Sequence, residues 1–182
     1  MHLMAFFSRF SRLARDQRGV SAVEFALLAP VMIGLYLGVA EVSDGVAADR
    51  KVSLTSAALA NLTSQVATIA TADMTNILDA SSAIISPFSA SKLKMTVTCI
   101  NIDASKVAKV KWSVTRGGSA NSGTISIPSA LAVASTQLIL AEVSYAYTPT
   151  VGYTITGTLT LSDKMYMSPR ITAPTYGATT CT

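Results

Sequence analysis

The chain has 182 residues, of which 50% are hydrophobic and 13% are charged, and its mean hydropathy is +0.45. This value is high for a soluble domain and directs attention to a membrane segment. Four arginines and one aspartate before residue 20 carry +3 of the net charge of +4. A nucleic-acid-binding protein would keep a basic stripe on its folded part. The sequence therefore argues against nucleic acid as a partner.

The first predicted element is a membrane-spanning helix. The stretch 25–40 has no charge, and the apolar run extends back to Val20 with Glu24 as its single charged residue. A helix over 20–40 rises about 30 Å, which is the thickness of a bilayer core. Arginines precede the run and acids follow it, which places the amino terminus in the cytoplasm. We predict a transmembrane helix over 20–42, with everything after about residue 45 outside the cytoplasm.

A cleaved secretory signal peptide is an alternative interpretation of the same stretch. The small residues "VAA" at 46–48 suit signal peptidase, with cleavage before Asp49. The uncharged run is slightly longer than a usual signal core, and a simple signal gains nothing from Glu24 at its head. These features favour a retained helix, and the alternative stays open.

Helical spacing continues beyond the membrane run. Val42 and Val46 follow it, and a stripe at intervals of three and four shares one helix face: Leu59, Leu62, Val66 and Ile69. We predict one helix from about 20 to about 70, interrupted or weakened near Gly45. Its stripe is expected to lie against a sheet of the same chain. Asp73 is predicted to be the amino-terminal cap of a second, shorter helix through Met74, Ile77 and Leu78.

After Pro87 the hydrophobic period changes to two, which is typical of half-buried strands. Strands are predicted over 92–99, 109–114, 137–149 and 153–167, with a short one at "TISI" (124–127). The strongest is 137–149, and 153–167 is predicted to pair antiparallel with it. One face of 137–149 is predicted to carry Ile139, Ala141, Val143, Tyr145 and Tyr147. The fold class is therefore α+β: a long amino-terminal transmembrane helix, a second helix and an antiparallel sheet. The predicted regions are 1–19, 20–42, 43–86 (helical) and 87–182 (β-rich).

The chain offers little catalytic or metal-binding chemistry. Its one histidine is His2, in the basic segment, so a histidine-dependent triad has no member in the later part. A zinc site needs about four ligands, and a phosphate-binding glycine loop is missing from the sequence. The sequence therefore predicts no enzyme, no metal and no cofactor.

The two cysteines, Cys99 and Cys181, are predicted to form a disulfide outside the cytoplasm. In the chain-entropy model, closing a loop of this length stabilises a protein by about 3–5 kcal/mol. Two free thiols, or a bond between subunits, are the alternatives.

Glu24 requires an explanation, because a carboxylate at the centre of a bilayer costs about 2.5–3.5 kcal/mol on insertion scales. Either a partner pairs with it, or it reaches the membrane interface without one.

The residues around Glu24 carry a family resemblance. The stretch "GVSAVEF" at 19–25 resembles the processing site of type IV pilin-like proteins, and "RGVSAVEFALLAPVMI" is similar to TadE/TadG-type pseudopilins of the Tad (Flp, tight-adherence) pilus. Major Flp pilins carry Glu-Tyr here and are much shorter, whereas this chain has Glu24-Phe25 and a large later part. The segments 142–149 and 159–170 also resemble strands of TadE-like proteins. The resemblance therefore points to a minor pseudopilin.

The resemblance implies a specific biology. A prepilin peptidase would cut between Gly19 and Val20, removing a basic cytoplasmic leader, and Glu24 would become the fifth residue of the mature chain. That glutamate, followed by Phe25, would act in assembly by neutralising the new amino group of a neighbouring subunit. The implied partners are other pilin-like subunits, Tad assembly proteins, the prepilin peptidase and the inner membrane. The implied function is priming, capping or scaffolding of the pilus by a periplasmic domain on a single-pass anchor.

Overall fold

The computed structural model describes residues 19–149 and 157–182. Helix α1, Val20–Ser64, runs for 45 residues without a break. The predicted interruption near Gly45 is wrong, because this glycine stays helical. A Cβ built on Gly45 would lie 3.7 Å from Cε1 of Tyr147. Pro30 also lies inside α1, and proline is tolerated in helices of the membrane type. The long amino-terminal helix predicted from the sequence is therefore confirmed.

Helix α1 ends at Ser64, several residues before the predicted end near 70. The chain leaves the helix to form strand β1, Thr68–Ile69, which pairs in parallel with strand β6, Thr175–Tyr176. The backbone N–H of Arg170 donates to the carbonyl oxygen of Ser64 (2.9 Å). The tail therefore satisfies one of the carbonyls that a helix end leaves open. This end is set by residues more than 100 positions later, so local spacing did not predict it.

Helix α2, Thr71–Ala83, buries Met74 and Leu78, as its stripe predicted. The prediction that Asp73 precedes this helix as its cap is wrong, because Ala70 occupies the cap position. Asp73 instead acts from the third helical position, where its carboxylate accepts the backbone N–H of Ala70 (3.1 Å). This is the returning half of a capping box, and it satisfies a donor that the helix leaves open.

The main sheet is antiparallel, in the order β3-β2-β4-β5. Its strands are β2, Leu93–Ile102; β3, Ala108–Arg116; β4, Thr136–Tyr147; and β5, Leu159–Met167. The pairing of β4 with β5 confirms the predicted antiparallel partnership, although positions 150–156 of the predicted strand and turn lie outside the described residues. A small second sheet joins β1, β6 and β7, Thr179–Thr180. The α+β prediction is confirmed.

The inner face of the sheet packs on α1. Every second residue of β4 is buried there, as predicted: Ile139, Ala141, Val143, Tyr145 and Tyr147. The facing side of α1 differs from the predicted aliphatic stripe, because small and hydroxyl side chains are prominent on it: Ala48, Val52, Thr55, Ser56, Leu59, Ala60, Thr63 and Ser64. Val42 and Val46 are about half exposed. Small side chains let the helix axis approach the sheet closely.

The outer face of the sheet has a second, smaller core. Ile100 and Leu140 are fully buried there, under Ile125, Ile127 and Leu131 from the segment between β3 and β4. The predicted strand at 124–127 is wrong: Thr124 forms only an isolated bridge with Lys109. One backbone hydrogen bond flanks the bridge on each side, from the N–H of Val110 to Gly123 and from the N–H of Ile125 to Ala108. Both isoleucines of "TISI" pack onto the sheet, which gives the alternating pattern without a ladder.

Candidate functional site

The predicted processing site lies at the very start of α1. Gly19 is the cap residue, in a right-handed helical conformation, and Val20 is the first helical residue. Among the described residues, nothing lies within 4 Å of the position that a Cβ on Gly19 would occupy, and Val20 is 49% exposed. No part of residues 19–149 or 157–182 therefore covers the bond between these two residues.

Glu24 and Phe25 lie on the second turn of α1, and the structure places them next to Gly19 and Val20 on one exposed helix end. The side chain of Glu24 is exposed, and Phe25 is 69% exposed. Within the described part of the chain no lysine or arginine pairs with Glu24. The described residues of the same copy therefore supply no cation to this carboxylate, and a second copy or another protein could supply one.

The apolar half of α1 is bare along its length. Large side chains between 20 and 39 are 49–74% exposed, with the exception of Leu37, which is partly buried. Pro30, Gly34 and Gly38 leave a shallow groove of about 680 Å³ along one side, which ends at Val42 and Ser43. Small residues at such spacing let a second helix approach closely. In the described residues this is the one helix long and apolar enough to cross a membrane.

The rest of the chain holds α1 from Glu41 onwards. Glu41 is only 3% exposed, and Ala48 and Val52 follow it on the same buried side. Sequence reasoning counted Glu41 only as an acid flanking the membrane run. Its spacing of seven residues from Ala48 was the signal that it belongs to the helix face that packs on the sheet.

Tyr147, at the end of β4, lies close to this junction. Burial raises the pKa of its phenol, and the negative charges of Asp44 and Glu41 raise it further. Phe88 packs edge-on against Tyr147 at 6.3 Å between ring centroids. The base of the folded part is therefore an aromatic and acidic cluster fixed to the helix where the apolar segment ends.

The other two predicted site residues lie in the folded part, away from Glu24. Cys99 of β2 and Cys181 near the chain end are bonded to each other, with their Cα atoms 5.9 Å apart and both side chains fully buried. Beside them the indole N–H of Trp112 donates to the carbonyl oxygen of Pro174 (3.1 Å), and the Trp112 and Tyr176 rings pack 5.7 Å apart. The bond thus belongs to the attachment of the tail.

A polar network on the outer sheet face was missed by sequence reasoning. The Asn121 side-chain amide donates to Thr98 (2.9 Å) and to Glu142, and Lys164 pairs with Glu142 at 2.6 Å. Burial raises the pKa of Glu142, but hydrogen bonds from Lys164 and Asn121 outweigh burial and hold that pKa below its ordinary value. Asn121 lies in a turn-rich link, so no periodicity marks it. In the described residues no group of three or more His, Cys, Asp or Glu side chains could hold a metal.

Comparison with known proteins identifies the amino-terminal part. Geometry alone defines a protein with one exposed, membrane-length helix that continues into an α+β domain. Residues 19–61 match the model of the TadE-like protein family. The match contains the Gly19–Val20 bond, the whole bare segment and most of the buried face of α1. No curated protein and no solved structure matches the chain.

Over residues 19–61 the chain is similar to TadE-like proteins, and this similarity supports an association with a Tad pilus system, which implies pilin-like partners. Among the described residues, α1 is the one helix long and apolar enough to be a membrane anchor.

Proposed function

We propose that this chain is a minor pseudopilin that acts in assembly of a Tad-type pilus by priming, capping or scaffolding it. In this proposal a prepilin peptidase cuts after Gly19, Val20 becomes the amino terminus, and Glu24 neutralises the amine of a neighbouring subunit. The observation that carries the proposal is the bare helix headed by this motif, inside the TadE-like match. The chain acts as a structural subunit and not as an enzyme.

Exposure of the motif supports the processing step. A peptidase must reach the bond after Gly19, and nothing in the described structure covers it. Exposure of Glu24 supports the pairing step in the same way. A charge at membrane depth is costly when alone and tolerable when paired, and the amine freed at Val20 is a cation that cleavage itself would create.

The proposed location follows from charge and length. Arginines precede α1 in the sequence, so the leader stays in the cytoplasm. The bare segment would cross the inner membrane, and the part of α1 held by the sheet would stand in the periplasm. The disulfide fits that compartment, because such bonds persist in oxidising environments.

The structure weighs against release by signal peptidase. A cut before Asp49 would fall inside α1, directly after Ala48, which is fully buried. It would also remove Glu41 and Gly45, which lie against the folded part. Such a cut would damage the core of the released product, whereas a cut after Gly19 keeps all of the buried residues that the structure describes.

The first test is the amino terminus of the protein purified from its native membrane, by intact mass and terminal sequencing. We expect Val20 as the first residue. A terminus at Met1 would overturn the processing step and favour an uncleaved single-span protein with a periplasmic binding or sensing domain. A terminus at Asp49 would favour the secreted alternative.

The second test distinguishes the role of the Glu24 carboxylate from the role of the apolar helix that carries it. Glu24→Ala should abolish or strongly reduce pilus assembly while the protein is still made, cut and inserted. Val23→Ala is the matched control, because Val23 is 61% exposed on the same turn. Normal pili with Glu24→Ala, counted by electron microscopy, would overturn the assigned role of Glu24.

A further inference from the structure

We propose that the open edge of strand β5 is a docking site for one extended strand of another protein, which lengthens the main sheet. The strand that fits has apolar side chains at alternate positions towards α1, polar side chains between them, and a lysine or arginine beside Asp49. This contact belongs to the folded part of the chain and goes beyond the assembly role above. The choice of a different protein over a second copy rests on the membrane anchor of that proposed function.

The chain covers one edge of the main sheet and leaves the other open. At the β3 edge, the backbone N–H of Val110 donates to the carbonyl oxygen of Gly123 (2.8 Å). The N–H of Ile125 donates to the carbonyl oxygen of Ala108 (3.0 Å) on the same edge. At the opposite edge, β5 pairs only with β4 among the described residues. A strand of nine residues with one open side is a template for pairing with another strand.

The apolar layer beneath the sheet continues to this open edge. Ile139 and Ala141 of β4 are fully buried, whereas their partners on β5, Met167 and Met165, are only partly buried. Helix α1 therefore covers the centre of the sheet more completely than it covers β5. A strand added at the edge would remove more of both methionine side chains from water, which favours its binding.

A hollow of about 280 Å³ lies beside the first half of β5. Its walls include Val42, Val46 and Asp49 of α1, and Leu159 and Leu161 of β5. Val46 is 48% exposed and Leu159 is 44% exposed, so the hollow is open to an apolar side chain. When a strand adds to a sheet edge, main-chain hydrogen bonds give affinity and pockets for alternate side chains give specificity. The open edge and this hollow together provide both parts of such a site.

The two charged side chains of β5 do not protect the edge. Inward-pointing charges and edge lysines are devices that prevent pairing between sheets. The carboxylate of Asp163 faces α1, but the hydroxyl of Ser56 donates to it. Lys164 pairs with Glu142 of β4 at 2.6 Å, which draws its ammonium group towards the sheet and away from the open edge. An incoming strand therefore meets no unpaired charge on β5 itself.

Asp49 gives the incoming strand a charge requirement. Its side chain is exposed at the rim of the hollow, and no described lysine or arginine pairs with it. A basic residue next to the apolar side chain that enters the hollow would complement this carboxylate. An exposed ion pair contributes little energy, so the basic residue sets the register and the apolar side chains supply most of the affinity.

The direction of β5 argues against a second copy as the occupant. Leu159 pairs with Tyr147, beside Gly45, and Met167 accepts a hydrogen bond from Ser64 (3.3 Å) at the far end of α1. Strand β5 and helix α1 therefore run in the same direction. Antiparallel pairing of two β5 edges would point the two α1 helices in opposite directions, which two chains anchored alike in one membrane cannot do.

Parallel pairing of two copies fails for a different reason. A two-fold axis along the strands would place the inner face of one β5 beside the outer face of the other. The outer face presents Thr160, Ser162 and Lys164, so the hollow would receive no apolar side chain. A strand of a different protein has neither restriction.

Peptide binding to the detergent-solubilised full chain tests the site. The probe is a labelled peptide of about ten residues, with valine and threonine alternating and a lysine at each end. Fluorescence anisotropy should show saturable binding in the micromolar range. A second peptide of the same composition, with its valines consecutive, should bind at least fivefold more weakly. Bound probe should slow hydrogen exchange in β5, 159–167, and leave β2, 93–102, unchanged, because only β5 gains a new partner.

Matched variants locate the contact. Leu159→Lys and Val46→Lys change opposite walls of the hollow, and each should weaken binding at least fivefold. Thr160→Lys is the control: it adds the same charge at the next position, on the outer face, and should change binding less than twofold. Asp49→Asn should weaken binding about two- to fivefold, the range expected for an exposed ion pair. This effect should disappear when glutamine replaces the lysines of the probe.

Three results would overturn the proposal: no saturable binding, equal weakening by Thr160→Lys and Leu159→Lys, or binding without slower exchange in 159–167. Slower exchange in 159–167 on raising the protein concentration alone would assign the edge to a second copy and overturn the choice of a different protein. Cleavage at Val20 and the pilus count are measured separately in cells. Normal cleavage and normal pili with no peptide binding would therefore reject this site and leave the assembly role standing.

Discussion

The backbone N–H of Arg170 donates a 2.9 Å hydrogen bond to the carbonyl oxygen of Ser64, the last residue of α1. A segment near the chain end thus closes the helix that begins at Val20. That segment is itself held by the Trp112–Pro174 hydrogen bond and by the bond between Cys99 and Cys181. The attachment of the long helix to its domain therefore depends on the tail.

We expect Cys181→Ser to lower the free energy of unfolding by about 3–5 kcal/mol, because the disulfide closes a loop over a sequence separation of 82 residues. Thermal unfolding of the detergent-solubilised full chain measures this, with and without reductant. Reductant should lower the melting temperature of the wild type and leave that of the variant unchanged. Equal melting temperatures for the two proteins under oxidising conditions would contradict the prediction.

Trp112→Phe should loosen the tail before it loosens the sheet. The variant keeps a ring against Tyr176 but removes the indole donor to the carbonyl of Pro174, which still accepts the backbone N–H of Cys181 (3.2 Å). The expected cost is therefore that of one hydrogen bond, about 0.5–1.5 kcal/mol. Hydrogen exchange followed by mass spectrometry should show faster exchange in peptides covering 170–182, with little change in β2 and β4. Equal acceleration in all of these peptides would show that the tail does not open by itself.

The elements predicted well from the sequence are those whose pattern is local. The alternation of β4 placed five residues on the inner face, and the apolar run located the bare half of α1. The errors have distant causes. Helix α1 ends where the tail pairs with residues 67–69, and Asp73 caps from inside α2 because Ala70 happens to have the extended backbone of a cap residue.

The candidate site divides in the same way. The motif from Gly19 to Phe25 was visible because its members are adjacent in the sequence. Glu41 was counted only as a flanking charge, although its spacing from Ala48 and Val52 marks the buried face of α1. The partnership of Asn121 with Glu142 was not predictable, because it joins a turn to a strand 21 positions away and follows no period.

Ser56→Ala should weaken the docking of α1 on the sheet. The hydroxyl of Ser56 donates to the carboxylate of Asp163 on the inner face of β5, and a partly buried carboxylate that loses its donor costs about 1–3 kcal/mol. The comparison is a double-mutant cycle with Asp163→Asn, followed by denaturant unfolding in detergent. The double variant should be less destabilised than the sum of the single variants, and strict additivity would contradict a direct contact.

The free energy of unfolding should fall at acid pH, partly because Glu142 becomes protonated. Its pKa in the folded protein lies below the ordinary value of 4.5, so the stabilisation is complete above about pH 4.5 and is lost as the pH falls through the folded pKa. The expected contribution is about 1 kcal/mol, because Lys164 is well exposed. Glu142→Gln should remove this part of the pH dependence, measured as unfolding midpoints between neutral and acid pH.

The experiment needs a control for the titration of Asp103. The backbone N–H of Val107 and the side chain of Lys109 hold the pKa of Asp103 below its ordinary value as well, so it titrates in the same direction. We therefore expect Glu142→Gln to flatten the acid limb equally in the wild type and in an Asp103→Asn background. If Glu142→Gln leaves the acid limb unchanged in both proteins while Asp103→Asn flattens it, the acid sensitivity belongs to Asp103.

Gly45→Ala should stabilise the protein by about 0.5–1 kcal/mol, because alanine restricts the unfolded chain and favours a helix. The space exists: the nearest atom to the new Cβ is Cε1 of Tyr147, at an ordinary contact distance of 3.7 Å. Gly117→Ala is the matched control and should destabilise, since Gly117 has φ +72°, a conformation that L side chains rarely adopt. Unfolding midpoints of both variants in detergent measure the difference. A lower midpoint for Gly45→Ala would contradict the prediction. It would mean that the new Cβ meets the Tyr147 ring at a shorter distance than 3.7 Å and that α1 needs a glycine at this position.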